Sequence, residues 1–202
     1  ILGSAVITII LTPFVFALTS KFCVRRREIV QVTGGAKEQL ALAVPNLTKH
    51  VVICGHGRIG SSAARILSQL EIPYVVTDLD PKTISELRAK GIPCVYGDPG
   101  NEKVLHEAGV QDASVLVLAI PDPVSIRLAI DHARRINPNL DIIARAHSDS
   151  ELEFLQSRGV SEAVQPEVEA GIEIVRHILC RLNMPEAEVE GIIANERKVC
   201  PM

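Results

Sequence analysis

Three glycines and one aspartate stand at the spacing of a dinucleotide-binding turn. The glycines are Gly55, Gly57 and Gly60, and Asp78 follows 18 residues after the last of them. In such a turn the glycines allow a sharp bend, a close approach of the backbone to a pyrophosphate and tight packing of a helix on a strand. The acid binds the ribose hydroxyls of adenosine, and its charge repels a 2′-phosphate. The spacing therefore predicts a site for NAD(H), AMP or ATP rather than NADP(H), unless Asp78 serves only as a helix cap.

Further candidate contacts lie in the turns that follow predicted strands, where open α/β sheets bind their ligands. Arg58 can donate to a phosphate oxygen, although a solvated arginine in the first helical turn is the plain alternative. Asp80 precedes Pro81 and is expected chiefly to cap the next helix. Asp98 and Asp122 are as readily turn formers as ligand contacts. The predicted nucleotide-binding residues are Gly55, His56, Gly57, Arg58, Ile59, Gly60, Asp78, Leu79, Asp80, Gly97, Asp98, Ala119, Ile120 and Asp122.

Short apolar runs alternate with helical segments around these turns. Runs of Val, Ile, Leu and Ala suit parallel strands that are buried on both faces. Their alternation with helices predicts a doubly wound parallel sheet, a Rossmann fold of the α/β class. The predicted strands are 50–54, 73–80, 94–96, 114–120, 141–146 and 163–165. The predicted helices begin near 58 and 101 or span 123–136, 150–158 and 167–183, and the last is expected to pack across a partner subunit or back on the sheet.

The composition narrows the class of protein. The 202 residues are 47% hydrophobic but only 3% aromatic, so the core must be aliphatic. The formal net charge of −3 gives no basic surface of the kind that binds nucleic acid, and no nucleic-acid partner is expected. Five cysteines are dispersed without a Cys-x-x-Cys pair, which indicates reduced thiols in a cytosolic setting rather than a disulfide framework or a zinc site.

The first twenty residues form an apolar segment of membrane length. Residues 1–20 contain no charged side chain, and a helix of that length spans about 30 Å, the thickness of a bilayer core. One lysine and three arginines follow within 21–27, which places this flank on the cytoplasmic side. We interpret the segment as a transmembrane helix; a secretory signal and a buried helix of a globular domain are the alternatives. Residues 21–49 are expected to form a basic juxtamembrane linker with a short helix over 37–44.

The order of motifs along the chain resembles a known family. The strings HVVICGHGRIG, VVTDLDP, VYGDPGNEKVLHEAGVQDASVLVLAIPDP, IIARA and EAVQPE are similar to the TrkA-N, or RCK, domain that regulates potassium channels and transporters. The preceding AVITIILTPFVF resembles the last membrane helix of the monovalent cation:proton antiporter-2 family, the Kef-like antiporters. This resemblance implies four parts: a membrane helix over 1–20, the linker over 21–49, a nucleotide-binding domain over 50–166 and a helical tail over 167–202. Because the sequence starts inside an apolar run, we expect a longer natural chain.

The resemblance also implies roles for individual residues. It implies that the glycine turn and Asp78 hold NAD(H) or an adenine nucleotide, and that Arg145 is the family's arginine near the dimer cleft. Ile126 stands where Kef-type relatives have a polar residue, often Asn, so one polar contact of the family is in doubt. Glu167 resembles an acidic metal ligand of some channel-gating relatives, but no matching acidic cluster accompanies it, and no metal site is expected.

These features lead to one preferred function and two alternatives. The preferred one is a cytoplasmic nucleotide-sensing domain of a monovalent cation (K⁺ or Na⁺):proton antiporter in the inner membrane. It would dimerise beneath its own upstream membrane domain and gate the flux of cations and protons through rearrangement of the dimer. The first alternative is the RCK domain of a potassium channel or uptake system. The second is an NAD-dependent oxidoreductase, which is disfavoured because neither Tyr74 nor Tyr96 has a lysine four positions later and no substrate domain follows; no catalytic residue is predicted.

Overall fold

The computed structural model of the protein describes residues 47–199. The predicted membrane helix over 1–20, and nearly all of the predicted linker over 21–49 with its short helix, lie outside the described residues. Among the residues that are described, no helix combines the length and the apolar character needed to cross a bilayer.

Six strands and seven helices alternate along the described chain. The strands are β1 (Val51–Cys54), β2 (Tyr74–Asp78), β3 (Cys94–Tyr96), β4 (Val115–Leu118), β5 (Asp141–Arg145) and β6 (Glu162–Val164). The helices are α1 (Arg58–Gln69), α2 (Pro81–Ala89), α3 (Glu102–Glu107), α4 (Pro123–Ile136), α5 (Asp149–Ser157), α6 (Pro166–Arg181) and α7 (Glu186–Val199). A single 3₁₀ turn, Val110–Asp112, precedes β4. The predicted six-stranded α/β architecture is confirmed, and α7 lies within the predicted helical tail over 167–202, although the periodicity predicted a separate helix only over 167–183.

All six strands are parallel and form one sheet in the order β3-β2-β1-β4-β5-β6. The chain moves outward from β1 through β2 to β3, then crosses back to β4 on the other side of β1. The carboxyl ends of β1 and β4 therefore diverge into helices on opposite faces, and a crevice forms between them. This crevice is the place where a sheet of this topology receives its ligands.

Two aliphatic cores lie on the two faces of the sheet. One contains Ile53 and Val76 of the strands together with Ala64 of α1 and Ile84 of α2. The other is larger and packs the opposite face of the sheet against α3, α4 and α5. Because helices cover both faces of the sheet, the side chains of each strand are buried whichever face they point to. The strands are therefore near-continuous apolar runs.

The helical tail forms a small core of its own. Ile172 of α6 packs with Val189 and Ile193 of α7, and these three side chains are buried. This stripe of α6 therefore packs on α7, and the expected packing of α6 across a partner subunit stays a prediction. Another stripe of α6 stays exposed, at Ile174, Val175 and Ile178, and it continues to the C-cap residue Leu182.

Candidate functional site

The glycine turn after β1 leaves no room for a larger residue at its first and third glycines, Gly55 and Gly60. Gly55 has a φ of +94°, which L side chains rarely adopt, and a Cβ there would lie 2.9 Å from Cγ2 of Ile120. A Cβ on Gly60 would lie 1.9 Å from the carbonyl oxygen of Gly55. The first glycine therefore sets the bend, and the third brings α1 into direct contact with the turn. Both roles agree with those that the spacing predicts.

The amino terminus of α1 is left open. Four other helices begin with a side-chain cap: Asp80 for α2, Asn101 for α3, Asp122 for α4 and Ser148 for α5. By contrast the N-cap of α1 is Gly57, and within the described chain no side chain caps this helix and no acid lies in its first turn. Its amide groups and the positive end of its dipole are therefore available to an anion, as in phosphate sites at helix termini.

Asp78 lies at the end of β2 and is tied to the glycine turn. Its Oδ2 accepts a hydrogen bond from the backbone N–H of His56 at 2.6 Å, and its Oδ1 accepts one from the N–H of Asp80 at 2.8 Å. Asp78 is therefore not a helix cap, which was the alternative that would have removed the ribose assignment. Each carboxylate oxygen keeps a second lone pair that can accept from a hydroxyl.

A cavity of about 580 Å³, which we call the acidic cavity, opens between the turns that follow β1 to β4. Its lining carries four carboxylates and, among the described residues, no lysine or arginine. That charge suits an uncharged nucleoside and opposes an additional phosphate on it. The lining residues are Gly55, Gly57, Thr77, Asp78, Leu79, Asp80, Pro81, Asp98, Pro99, Ala119, Ile120, Pro121, Asp122 and Ser125.

Ser125 is a member of this lining that sequence reasoning missed. Its hydroxyl donates to Oδ2 of Asp98 at 2.9 Å, and Oδ1 of Asp98 accepts from the N–H of Gly100 at 2.8 Å. Neighbouring Ile126 is fully buried in the core. The polar group on this wall is therefore the hydroxyl at 125 rather than a side chain at 126. Ser125 could have been found from its position in the sequence, three residues after the capping Asp122. A side chain at that position can reach back over the start of the helix.

Asp80 and Asp122 both act as helix caps. Asp80 accepts from the N–H of Lys82 at 3.1 Å and from the hydroxyl of Thr83 at 2.9 Å. Asp122 accepts from the N–H of Ser125 at 2.8 Å. The pKa of each carboxyl is lowered, chiefly by the backbone N–H bond to the charged form. The expectation that Asp80 caps the next helix agrees with this geometry.

The remaining predicted residues are placed around the acidic cavity rather than in its lining. His56 contributes its backbone N–H to Asp78, and Gly60 lies beneath the turn. Gly97 has a φ of +151°, and a Cβ there would meet Val104 at 2.5 Å, so the local backbone and packing require glycine at this position. Arg58 and Ile59 lie on the other side of the glycine turn, where they line a second cavity. As ligand contacts, all fourteen residues remain predictions.

The second cavity, which we call the arginine cavity, has a volume of about 510 Å³. It lies between the glycine turn, the loop after β4, the end of β5 and the start of α6. Nη2 of Arg145 donates to Oε1 of Glu167 across it at 2.7 Å. The pKa of the Glu167 carboxyl is lowered by its own backbone N–H at the helix start and further by the Arg145 guanidinium. The lining residues are Gly57, Arg58, Ile59, Ala119, Pro121, Arg145, Pro166, Glu167 and Ala170.

The thiol of Cys54, at the end of β1 beside this crevice, is fully buried. Burial raises the pKa of the Cys54 thiol to about 12, so it stays protonated and unreactive at neutral pH. Within residues 47–199 no group of three or more His, Cys, Asp or Glu side chains is placed to hold a metal ion.

Known proteins share the sequence pattern and the fold of this chain. A family model described as the TrkA-N domain matches residues 51–166. The chain is 32% identical over 189 residues to the putative cation/proton antiporter YbaL of Escherichia coli K12, covering 93% of this chain and 33% of that protein. It is 32% identical over 151 residues to the putative K⁺ efflux antiporter KefB of Alkalimonas amylolytica, covering 75% of this chain and 23% of that protein. Potassium channel protein 1 of Methanocaldococcus jannaschii is 31% identical over 135 residues, covering 66% of this chain and 40% of that protein.

Two solved structures share the fold. The TrkA-N domain of the inner membrane protein YbaL from E. coli superposes with a TM-score of 0.62 at 32% identity, covering 64% of this chain and 96% of that one. The AMP-bound Kef CTD of Shewanella denitrificans superposes with a TM-score of 0.66 at 25% identity, covering 74% of this chain and 90% of that one. The chain spans less than half the length of the three curated relatives.

Proposed function

Because the chain belongs to the TrkA-N domain family, we propose that its described domain binds an adenine nucleotide as a regulatory signal for a monovalent cation:proton antiporter. The nucleotide is AMP, ATP or NAD(H), and it is bound rather than consumed. The cation is K⁺ or Na⁺, and a membrane domain of the complete protein exchanges it for protons.

The observation that carries the proposal is the acidic cavity beside the open start of α1. Asp78 holds the ribose hydroxyls, while the amides of the glycine turn and the uncapped helix receive the phosphates. The carboxylates of the cavity disfavour a 2′-phosphate, so NADP(H) is not the ligand. The AMP in the Shewanella Kef CTD supports the same ligand class here.

The antiporter part of the proposal is supported by the relatives. YbaL and KefB are named as putative antiporters of cations or K⁺, and YbaL is described as an inner membrane protein. We therefore propose the same membrane location for this protein, with the TrkA-N domain on the cytoplasmic side. The apolar residues 1–20 and the positive residues after them favour that orientation.

Regulation requires only that the nucleotide binds one conformation of the protein better than another. A coupling of about 1 to 3 kcal/mol between nucleotide and transport would change activity by roughly 5- to 150-fold. We propose that two copies of the domain form a dimer whose arrangement differs between the two conformations. The exposed apolar stripe of α6 supports this, since Ile174 and Ile178 are 60% and 52% exposed on one face of a helix.

Calorimetry on the 202-residue chain in detergent tests the ligand, with AMP, ATP, NAD⁺, NADH and NADP⁺ as probes. We expect saturable binding of adenine nucleotides and at least tenfold weaker binding of NADP⁺. Cation/proton exchange by the complete protein in membrane vesicles tests the regulation, with and without a saturating nucleotide. Identical fluxes would refute the regulatory proposal, and equal binding of NAD⁺ and NADP⁺ would refute the assigned role of Asp78.

A second candidate is the regulatory domain of a potassium channel. The identity of 31% to potassium channel protein 1 of M. jannaschii favours it. The two candidates differ in the ion flux of the complete protein. A channel conducts K⁺ without moving protons. An antiporter changes the pH inside the vesicle in proportion to the amount of cation that it transports.

A further inference from the structure

One face of α4 meets the start of α3 at two points. Ser125 and His132 are seven residues apart on α4, so they lie on the same face of that helix. The hydroxyl of Ser125 donates to Oδ2 of Asp98 at 2.9 Å, and His132 lies beside Glu102, the first residue of α3. A tight turn joins Asp98 to α3, since the N–H of Asn101 donates to the backbone carbonyl of Asp98 at 2.9 Å. A contact between His132 and α3 therefore acts on the segment that carries Asp98 into the acidic cavity.

Nδ1 of His132 lies within reach of both a donor and an acceptor. It is hydrogen-bonded to Nη2 of Arg135, three residues later on α4, and it lies 3.3 Å from Oε2 of Glu102. The guanidinium and the carboxylate are themselves 3.5 Å apart, and the imidazole side chain is only 18% exposed. A guanidinium can only donate a hydrogen bond, whereas a carboxylate can only accept one. The same ring nitrogen therefore cannot bond to both groups in one protonation state.

The proton on the imidazole decides which of the two partners is bonded. Histidine is the side chain that ordinarily changes charge between about pH 5 and 8. A neutral ring that carries its proton on Nε2 leaves the lone pair of Nδ1 to accept from Arg135. A protonated ring instead donates from Nδ1 to Glu102 and repels the guanidinium. The first of these bonds lies within α4, whereas the second joins α4 to α3.

The other charged groups around this ring have different partners. His106 lies 3.9 Å from the carboxylate of Glu102, but both residues belong to α3, so their contact does not join two helices. On α4, Asp131 is paired with an arginine and Arg134 donates to backbone carbonyls. The 3₁₀ turn Val110–Asp112 packs against both helices, and among the described residues its aspartate takes part in none of these ion pairs. The carboxylate and the guanidinium are therefore the two groups that compete for Nδ1.

We propose that His132 is a pH-dependent contact, which joins α4 to Glu102 in its protonated form and bonds to Arg135 in its neutral form. Through the turn between Asp98 and α3, the protonated form holds the Asp98 wall of the acidic cavity against α4. The domain therefore binds its nucleotide more tightly at pH 6 than at pH 8. This consequence rests on the proposed nucleotide binding, whereas the exchange of partners at Nδ1 does not.

NMR of the 202-residue chain in detergent, with ¹⁵N-labelled histidine, tests the exchange of partners. The chain has six histidines, and the signals of His132 are those that His132→Gln removes. We expect a proton on Nε2 alone at pH 8 and on both ring nitrogens at pH 5.5. Glu102→Gln removes the acceptor of the protonated ring and should lower the midpoint of the titration, whereas Arg135→Met removes the donor to the neutral ring and should raise it. A neutral ring with its proton on Nδ1, or one midpoint in all three chains, would overturn the proposal.

Calorimetry with AMP at pH 6 and pH 8 tests the consequence for the acidic cavity. The phosphate of AMP titrates in the same range, so each variant is compared with the parent at the same pH and the ligand's contribution cancels. We expect the parent to bind AMP about two- to fivefold more tightly than His132→Gln at pH 6, the range that one ion pair near the surface supplies, and equally at pH 8. His106→Gln is the matched control, since it removes an imidazole that contacts the same carboxylate, and it should behave as the parent does. The melting temperature of each variant is recorded to show that it is folded.

Three further outcomes separate the parts of the proposal. If the ratio of AMP affinities between parent and His132→Gln is the same at both pH values, the action of His132 on the acidic cavity is refuted. If His106→Gln loses affinity at pH 6 as His132→Gln does, the effect belongs to the charge of Glu102 and not to a contact between the helices, and the assigned role of His132 is wrong. If the parent binds no nucleotide, the proposed function fails, while the NMR titration still decides whether Nδ1 exchanges its partner.

Discussion

The backbone N–H of His56 donates to Oδ2 of Asp78 at 2.6 Å, so the glycine turn after β1 and the acid at the end of β2 are joined by the protein itself. The other carboxylate oxygen is held by the N–H of Asp80 at 2.8 Å. These two bonds fix the carboxylate while leaving lone pairs for hydroxyl donors. A site arranged in this way loses little conformational freedom on binding, which favours affinity.

Replacing Asp78 by alanine should therefore remove ribose contacts and also release the glycine turn. Hydrogen bonds to a charged group contribute about 1.5 to 3 kcal/mol, so we expect AMP affinity to fall roughly 10- to 150-fold in calorimetry. Asn101→Ala is the matched control, since it removes the cap of α3 at Lys103 without touching either cavity. It should cost about 1 kcal/mol of stability and leave binding unchanged. Equal AMP affinity in the two variants would contradict the role of Asp78.

Gly60 tests the close contact of α1 with the turn. In Gly60→Ala the new methyl group would lie 1.9 Å from the Gly55 carbonyl oxygen, a backbone atom that cannot turn aside as the end of a side chain can. We expect a loss of at least 1 to 3 kcal/mol in the free energy of unfolding, together with loss of nucleotide binding. Urea unfolding and calorimetry measure the two effects.

The same substitution at Gly171 provides the control. That glycine lies within α6, and a Cβ there would meet nothing within 4 Å. Gly171→Ala should stabilise the chain by about 0.5 to 1 kcal/mol, since alanine favours helix, and leave binding unchanged. If both alanine variants unfolded at the same urea concentration, the steric account of Gly60 would be wrong.

Local sequence patterns were sufficient to predict the sheet and its glycine turn. The strands are uninterrupted apolar runs because helices cover both faces, and the turn requires glycine at Gly55 and Gly60 for steric reasons that hold wherever this turn occurs. Asp80 was predictable as a cap because a proline follows it directly. Each of these features depends on residues that are close in the sequence.

Features that join distant segments could not be predicted in the same way. The hydrogen bond from Ser125 to Asp98 crosses 27 residues, and the ion pair from Arg145 to Glu167 depends on how α6 leaves β6. The periodicity also did not separate α7 within the predicted helical tail, because the apolar stripe of α7 is short and packs against α6. Such contacts depend on tertiary packing, which no local pattern specifies.

The helix caps at Asp80 and Asp122 predict a decrease of stability in acid. Both carboxyls have pKa values below the ordinary 3.8, because backbone N–H groups bind their charged forms. A lowered pKa in the folded state stabilises the protein above the ordinary pKa, and that stabilisation is lost as the pH falls through the lowered values. The free energy of unfolding in urea should therefore decrease below about pH 4.

Substitution by asparagine at these two positions separates the effect of carboxyl titration from the effect of helix capping. Asparagine caps helices about as well as aspartate but does not titrate. The double variant Asp80→Asn/Asp122→Asn should therefore unfold at a similar urea concentration at pH 7 and show a shallower decrease between pH 5 and 3. A slope equal to that of the parent would assign the acid sensitivity to other carboxyls.

The exposed stripe of α6 makes the proposed dimer testable. Ile178 is 52% exposed, and it lies between Ile174 and Leu182 at helical spacing, on a different face from Ile172, which packs on α7. An aspartate at 178 would place a charge in the middle of the proposed contact, where desolvation makes it costly. We expect Ile178→Asp to shift the chain from dimer to monomer in sedimentation velocity at concentrations where the parent is a dimer. Leu70→Asp is the matched control, since Leu70 is also an exposed aliphatic residue, at 63%, and it lies at the C-cap of α1. If Leu70→Asp dissociated the dimer and Ile178→Asp did not, the contact would lie near α1 and the proposed surface would be wrong.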